Sequence, residues 1–205
     1  MRLLIASSNR GKLREIQAVL AGLPVELVLP ADLGLEIQVD ETGATYAENA
    51  ALKARAYCQA SGLLTLADDS GLEVDALNGA PGLHSARFSP IPGASDADRR
   101  ALLIHTLSGI LMPPGAPGWP AHFHCTVAVV EPGGALNTAE GRCDGFIITK
   151  EHGHNGFGYD PIFFIPAEDA TMAELPEERK NQISHRARAL QAALPLLRQM
   201  IKADQ

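Results

Sequence analysis

Four clusters of polar residues in this 205-residue chain have the types and spacing to do chemistry. The first is Ser7-Ser8-Asn9-Arg10-Gly11-Lys12. Small hydroxyls, Asn and Gly let the backbone curl toward an anion, and Lys12 adds a point charge. It is not a Walker A loop, because Leu13 stands where that motif needs Ser or Thr. The same residues would equally make a polar turn that caps a helix. The second cluster is Asp40, Glu41, Asp68 and Asp69. Carboxylate oxygens suit a hard cation such as Mg²⁺. Asp68-Asp69 closes an apolar run, the end at which open α/β sheets place ligands. The plainer reading is a turn before Ser70-Gly71. The third is Gly156-Phe157-Gly158-Tyr159-Asp160. Its aromatics can stack on a base and Asp160 can accept from ring N–H groups, or the aromatics can fill a core. The fourth is Lys180 with Ser184-His185-Arg186. These are directional donors for carbonyl and phosphate oxygens, or a capped helix start with solvated charges. His122-x-His124 and His152-x-His154 each bring two imidazoles to one side of a strand, but no further ligand has metal-site spacing.

The elements around these clusters alternate between strand and helix patterns. Leu3 to Ala6 is a continuous apolar run, the pattern of a strand buried on both faces. Leu13, Ile16, Val19 and Leu20 recur at helical spacing, and Gly22 and Pro24 end that helix. A strand, a polar loop and a helix in that order leave backbone N–H groups for a phosphate. Val25 to Leu29 reads as a second strand. Thr45-x-x-Glu48 is a capping-box pattern that predicts a helix from Tyr46 to about Ala60. Leu63 to Ala67 reads as a buried strand, with Leu72 to Ala76 as a continuation or partner. Asn78 to Gly93 is rich in Gly and Pro and predicts a loop. Ser95 can cap a helix over residues 96–108. Residues 113–120 are the densest in Pro and Gly and suggest a mobile surface loop or a lobe junction. Phe123 to Glu131 and Ala135 to Thr149 predict a hairpin across Pro132-Gly133-Gly134. Pro161 to Ile165 predicts a short strand, and helices follow near residues 176–182 and 184–202. The class is α/β.

Composition bounds the partners. Hydrophobic residues are 46% and charged residues 20% of the chain, and mean hydropathy is +0.01. That excludes a disordered or collagen-like chain. With 17 Lys and Arg against 24 Asp and Glu, the net charge is −7. Such a surface has no general attraction for nucleic acid or anionic membrane, so a bound polyanion needs a local cation cluster or a metal ion. No segment is apolar for long enough to be a signal or to span a bilayer. Cys58, Cys125 and Cys143 are odd in number and widely spaced, which points to small hydrophobes in a reducing cytoplasm.

Taken in order, the blocks resemble the non-canonical purine NTP pyrophosphatases, the inosine/xanthosine triphosphate pyrophosphatase family. The matching segments are Ser7 to Lys12, Glu41-Thr42-Gly43, Glu48-Asn49-Ala50, Lys53-Ala54-Arg55, Ala67 to Leu72, Gly79-Ala80-Pro81-Gly82, Ser85-Ala86-Arg87, Gly156 to Phe163, Lys180 and Ile183 to Arg186. The resemblance implies one domain over residues 1–205, with a long central mixed sheet, flanking helices and two lobes around a deep cleft. It also implies a homodimer. The activity implied is Mg²⁺-dependent hydrolysis of ITP, dITP and XTP to the monophosphate and pyrophosphate. A pyrophosphatase for other modified nucleotides, or a nucleotide-binding module without catalysis, are the alternatives. By the same resemblance Ser7, Ser8, Asn9, Arg10, Gly11, Lys12 and Lys53 hold the triphosphate, and Ser70 contacts substrate. Asp40 and Asp69 hold Mg²⁺, with Glu41 as the alternative to Asp40. Asp69 orients or deprotonates water, with Asp68 as the alternative base. Phe157 stacks on the purine, within a subsite that includes Gly158 and Tyr159. Asp160, Lys180, His185 and Arg186 read its edge. The chain departs from the family pattern in having Ser7 for Thr, Ser8 for Gly and Asp40 for Glu. His84 likewise stands where an aromatic or aliphatic residue is common.

Overall fold

Leu3, Leu4 and Ile5 are all fully buried, so the first strand lies inside the sheet rather than at its edge. The computed structural model describes residues 1–203. Strand β1 (Arg2–Ile5) pairs in parallel with β2 (Glu26–Val28) on one side and β3 (Leu64–Val74) on the other. Its register sets Leu3 beside Leu64 and Ile5 beside Leu66. Strands β4 (Trp119–Val130), β5 (Leu136–Ile147), β6 (Phe163–Ile165) and β7 (Ala170–Thr171) complete a seven-stranded sheet of order β2-β1-β3-β4-β5-β6-β7. The β5–β6 and β6–β7 pairs are antiparallel, so the sheet is mixed and the class is α/β, as the sequence predicts. Helices α1 (Arg10–Leu20), α2 (Tyr46–Ser61), α3 (Asp96–Leu107), α4 (Glu177–Ile183) and α5 (His185–Ala203) flank it. No helix among the described residues is long and apolar enough to cross a membrane.

The chain divides into two compact units. Among the described residues the first comprises residues 1–70, 125–141 and 185–203. Alternation along its strands gives it two apolar layers. Leu3, Ile5, Leu64, Leu66, Cys125, Val127 and Val129 pack with Ile16 and Leu20 of α1 and with Leu190 and Leu197 of α5. Leu4, Ala6, Ala67, Ala128 and Val130 pack with Ala50, Ala54 and Tyr57 of α2. The second unit comprises residues 71–124 and 142–184, and its core joins Leu103, Leu107, Trp119, Phe123, Phe163 and Met172.

Three expectations change. Asp68-Asp69-Ser70-Gly71 is not a turn at a strand end, because β3 runs unbroken from Leu64 to Val74. Helix α1 begins at Arg10, inside the segment read as loop. Residues 113–120 lie inside the second unit, and the unit boundaries fall within β3, β4 and β5 and between α4 and α5.

Candidate active site

The pleat of β3 decides what each aspartate meets. Side chains alternate between faces along a strand. Asp68 and Ser70 share the parity of Leu64 and Leu66, which face α1 and α5. Asp69 shares the parity of Ala67, which faces α2. Asp68 Oδ2 therefore accepts from Arg186 Nε of α5 at 3.0 Å and pairs with Lys12 Nζ of α1 at 3.1 Å. Arg186 Nη2 donates to Ser70 Oγ at 2.9 Å, and Nη1 donates to Glu15 Oε2 at 2.5 Å. Glu15, Asp68 and Arg186 are all buried. Burial alone would raise the Asp68 carboxyl. Lys12, Arg186 and Lys53 outweigh it and hold Asp68 well below the usual carboxylate range. Asp68 Oδ1 is buried with no hydrogen-bond partner among the described residues. The Cys125 thiol, 3.9 Å from Oδ2, is pushed far up by burial and then by the Asp68 charge, which makes it an inert packing group.

Asp69 meets a different set. Asn49 Nδ2 donates to its Oδ2 at 3.1 Å, and Lys53 Nζ lies 3.5 Å from its Oδ1. Asn49 and Lys53 stand four residues apart on one face of α2. That helix is placed by Thr45 Oγ1, which accepts from the Glu48 N–H, and by Gly62 in a left-handed C-cap. Glu48 reaches the N–H of Ala44 rather than of Thr45, a looser form of the predicted capping box. Lys53 Nζ also donates to the Asp68 carbonyl at 2.6 Å and pairs with Glu41 Oε1 at 2.9 Å. Burial raises the Asp69 carboxyl, and Lys53 and Lys12 do not cancel the rise, to which the Glu41 charge adds. Two adjacent aspartates are thus driven in opposite directions.

Glu41, not Asp40, belongs to this cluster. Leu35, Ile37 and Val39 pack on the α2-side core, so the extended segment carries Glu41 inward on the same parity and leaves Asp40 exposed. Among the described residues, no group of three or more His, Cys, Asp or Glu is arranged to hold a metal ion. Glu41 and Asp69 meet on one ammonium and offer only carboxylate oxygens. That donor set fits a hard cation whose remaining positions go to water and phosphate, and not zinc. On β4, His122 Nε2 lies 3.0 Å from Glu73 Oε2 and His124 Nδ1 3.9 Å from Oε1, so these imidazoles answer to a carboxylate.

The Ser7 to Lys12 segment is a helix cap first. Asn9 Oδ1 accepts from the N–H groups of Gly11 and Lys12 at 2.9 and 3.1 Å, which spends two donors expected to await a phosphate. Ser7 Oγ accepts from the Asn9 N–H at 3.3 Å, and Ser8 and Arg10 are exposed. His185 and Arg186 open α5 in the first unit. The resemblance gives Arg186 to the purine edge; here its guanidinium is turned to Asp68, Ser70 and Glu15.

The glycine loop lies in the second unit with Lys180 of α4. Asp160 Oδ2 accepts from the Phe157 N–H at 2.8 Å and from Lys180 Nζ at 2.6 Å, and that ammonium lies 5.0 Å from the Phe157 ring centre. Gly156 permits this: its φ is +78°, and a Cβ there would come within 2.0 Å of Asp160 Oδ2. Tyr159 is buried and its hydroxyl donates to the Ser85 carbonyl at 2.9 Å. Phe157 is only partly buried. Glu15, Asp96 and Arg100 are not singled out by sequence. The one signal is at Glu15, a charge on the helix stripe that carries Ile16 and Leu20.

The model of the Ham1 family matches residues 3–196. The dITP/XTP pyrophosphatase of Geobacter sulfurreducens is 47% identical over 189 residues, covering 92% of each chain. That of Desulforamulus reducens is 42% identical over 200 residues, covering 98% of this chain and 97% of its own. A solved HAM1 protein from Coxiella burnetii superposes with a TM-score of 0.85 at 38% identity, covering 96% of this chain and 98% of its own. By family match, identity and fold, this chain belongs to the Ham1 family.

Proposed function

We propose that this chain hydrolyses deaminated purine nucleoside triphosphates, dITP, ITP and XTP, to the monophosphate and pyrophosphate. The observation that carries the reading is the β3 carboxylate pair. A depressed Asp68 is locked to Arg186 and Lys12, and a raised Asp69 sits beside Lys53 and Glu41. A module that only bound nucleotide would gain nothing from crowding carboxylates around a polyphosphate. The names of its relatives support the same chemistry.

In this reading Glu41 and Asp69 hold a Mg²⁺ ion, and Asp40 does not. The ion would neutralise phosphate charge in the transition state. Asp69 accepts the proton of the attacking water, a role suited to a carboxylate of raised basicity. A new P–O bond forms at the α-phosphorus, the α–β anhydride breaks, and pyrophosphate leaves. Lys12 and Lys53, with Ser7, Ser8 and Arg10, contact the phosphate oxygens, while Asn9 and Gly11 set the start of α1. Arg186 and Ser70 hold Asp68 in place. Phe157 stacks on the purine, with Gly158 and Tyr159 shaping the loop. Asp160, Lys180 and His185 discriminate a 6-oxo from a 6-amino edge, since a buried donor left unpaired by adenine penalises it strongly. The enzyme works as a homodimer in the cytoplasm. Exposed Ile91, Leu111 and Met112 supply apolar surface that an assembly would cover, and three buried free thiols suit a reducing compartment.

The test is pyrophosphate release from dITP, ITP, XTP, dGTP, dATP and dTTP, with Mg²⁺ and with chelator. Metal-dependent release confined to the inosine and xanthosine nucleotides is expected. Release mainly from methylated or pyrimidine nucleotides would transfer the activity to another modified substrate. Binding with no release would leave a non-catalytic module.

A further inference from the structure

Helix α3 holds the glycine loop by the two peptides that flank Gly158. Asp96 and Arg100 stand four residues apart on a single face of α3. Asp96 Oδ2 accepts from the Gly158 N–H at 2.8 Å, and Arg100 Nη1 donates to the Gly158 carbonyl at 2.8 Å. Both polar groups of Gly158 are therefore bonded to charged side chains of one helix. The guanidinium is itself fixed, because Nε and Nη2 fork onto the two oxygens of Glu151 at 2.8 and 2.9 Å. Asp96 is braced by Arg99 through its other oxygen. The helix carrying them is capped by a reciprocal Ser95–Asp98 box. Gly158 has φ +62°, a conformation that the loop must hold while its neighbour Phe157 presents a ring.

We propose that Asp96 and Arg100 are positioning residues for base discrimination, acting by clamping the two peptides that flank Gly158 so that the Phe157 ring keeps one orientation. The inference rests on the reading of this loop as the base subsite. Asp160 and Lys180 brace the loop from within. Within the loop the Phe157 N–H and carbonyl are bonded to Asp160, the carbonyl accepting from the Asp160 N–H at 3.2 Å, while the Gly158 N–H and carbonyl are held from α3. With the clamp gone, the Gly158 backbone can shift, and the ring loses the pose from which one base edge is told from another.

The experiment measures kcat and KM for dITP and dGTP in wild type, Asp96→Ala, Asp96→Asn, Arg100→Leu, Phe157→Ala and the Arg100→Leu/Phe157→Ala double variant. Thermal melts accompany each. Asp96→Ala and Arg100→Leu are expected to raise KM for dITP about tenfold at nearly constant kcat, and to cut the dITP:dGTP ratio of kcat/KM by a similar factor. Asp96→Asn is expected to restore the ratio to within about threefold, since an amide oxygen still accepts from the Gly158 N–H. In the Phe157→Ala background Arg100→Leu should no longer move the ratio, the non-additivity of residues that act through one another. A merely structural role would lower the melting temperature and scale both substrates alike, which overturns the proposal. If Phe157→Ala shifts the ratio and neither clamp variant does, the clamp is refuted and the base subsite stands. If Phe157→Ala itself leaves KM and the ratio untouched, the base-subsite reading fails. Should Arg100→Leu not fold, Asp96→Ala tests the same clamp without disturbing the Glu151 fork.

Discussion

Asp68 and Asp69 are joined by one peptide bond, and the pleat of β3 hands them opposite surroundings. Asp68 shares its Oδ2 between Arg186 and Lys12 in a fully buried site. Its depressed carboxyl contributes stability that is present above the ordinary aspartate value of about 3.9 and is lost as pH falls through the folded value. Asp69 runs the other way. Its raised carboxyl stabilises the fold only when protonated, and that contribution is lost as pH rises through the folded value. Replacing each by its neutral isostere in the metal-free protein should therefore give changes of opposite sign. Asp68→Asn removes one of the two anions around a buried guanidinium and the anion of Lys12, a loss of about 3 kcal/mol, or roughly 10 °C in melting temperature. Asp69→Asn relieves a buried charge and should raise the melting temperature by about 2–4 °C while abolishing turnover. Calorimetry at pH 7 with chelator reads both signs, and equal losses from the two variants would contradict the geometry. The pH dependence sharpens the test. The advantage of Asp69→Asn should shrink as pH falls through the folded Asp69 value, whereas the penalty of Asp68→Asn should stay full until pH drops below about 4. Parallel melting curves of wild type and either variant across that range would exclude the assigned shifts.

Elements were legible where a local pattern suffices. The apolar run of β1, the Thr45 and Ser95 caps and the Pro132-Gly133-Gly134 turn each carry their structure in a few neighbouring residues. The long β3 does not. Four polar or small residues, Asp68 to Gly71, read locally as a turn, and they stay extended because Lys12, Asn49, Lys53 and Arg186 satisfy them from distant helices. Strand β7 has only two residues and no periodicity to show. Close approach between elements is equally silent in the sequence. Gly141 of β5 lies so near the first turn of α5 that a Cβ would sit 2.2 Å from the His185 carbonyl and 2.3 Å from the Ala189 N–H. Both contacts are with backbone, so no rotamer change can relieve them. Gly141→Ala should displace the start of α5, and with it Arg186, costing about 3 kcal/mol or more. Chemical denaturation with an unchanged m-value would report that loss, and a variant of wild-type stability would show that α5 is free to retreat.

At the scale of the molecule, each unit's polar cluster is a set of long-range pairings. Glu15 meets Arg186 across 171 residues and Asp96 meets Gly158 across 62, separations that no local motif encodes. Of the residues assigned to the site before folding, Lys12, Asp69, Phe157 and Asp160 lie in short blocks of unusual composition, and Lys53 comes from the family resemblance. Those that sequence missed are ordinary helix residues whose role exists only after folding. Charge follows the same division. The chain carries a net −7, while Lys12 and Lys53 are paired with Asp68, Glu41 and Asp69 at 2.9 to 3.5 Å. A polyphosphate approaching from afar meets a repulsive field, and the attraction begins only at contact. Salt separates the two ranges, because the Debye length is about 10 Å at 0.1 M and buried pairs a few ångströms apart are screened far less. Raising KCl from about 0.01 to 0.15 M should therefore raise kcat/KM for the Mg²⁺ complex of dITP, by about twofold, with kcat unchanged. The sign is the decisive quantity. A steep fall would mean that substrate is drawn in by a long-range positive field, which the charge count does not supply. A rise would mean that the lysines act only at the phosphates, in balance with the carboxylates beside them.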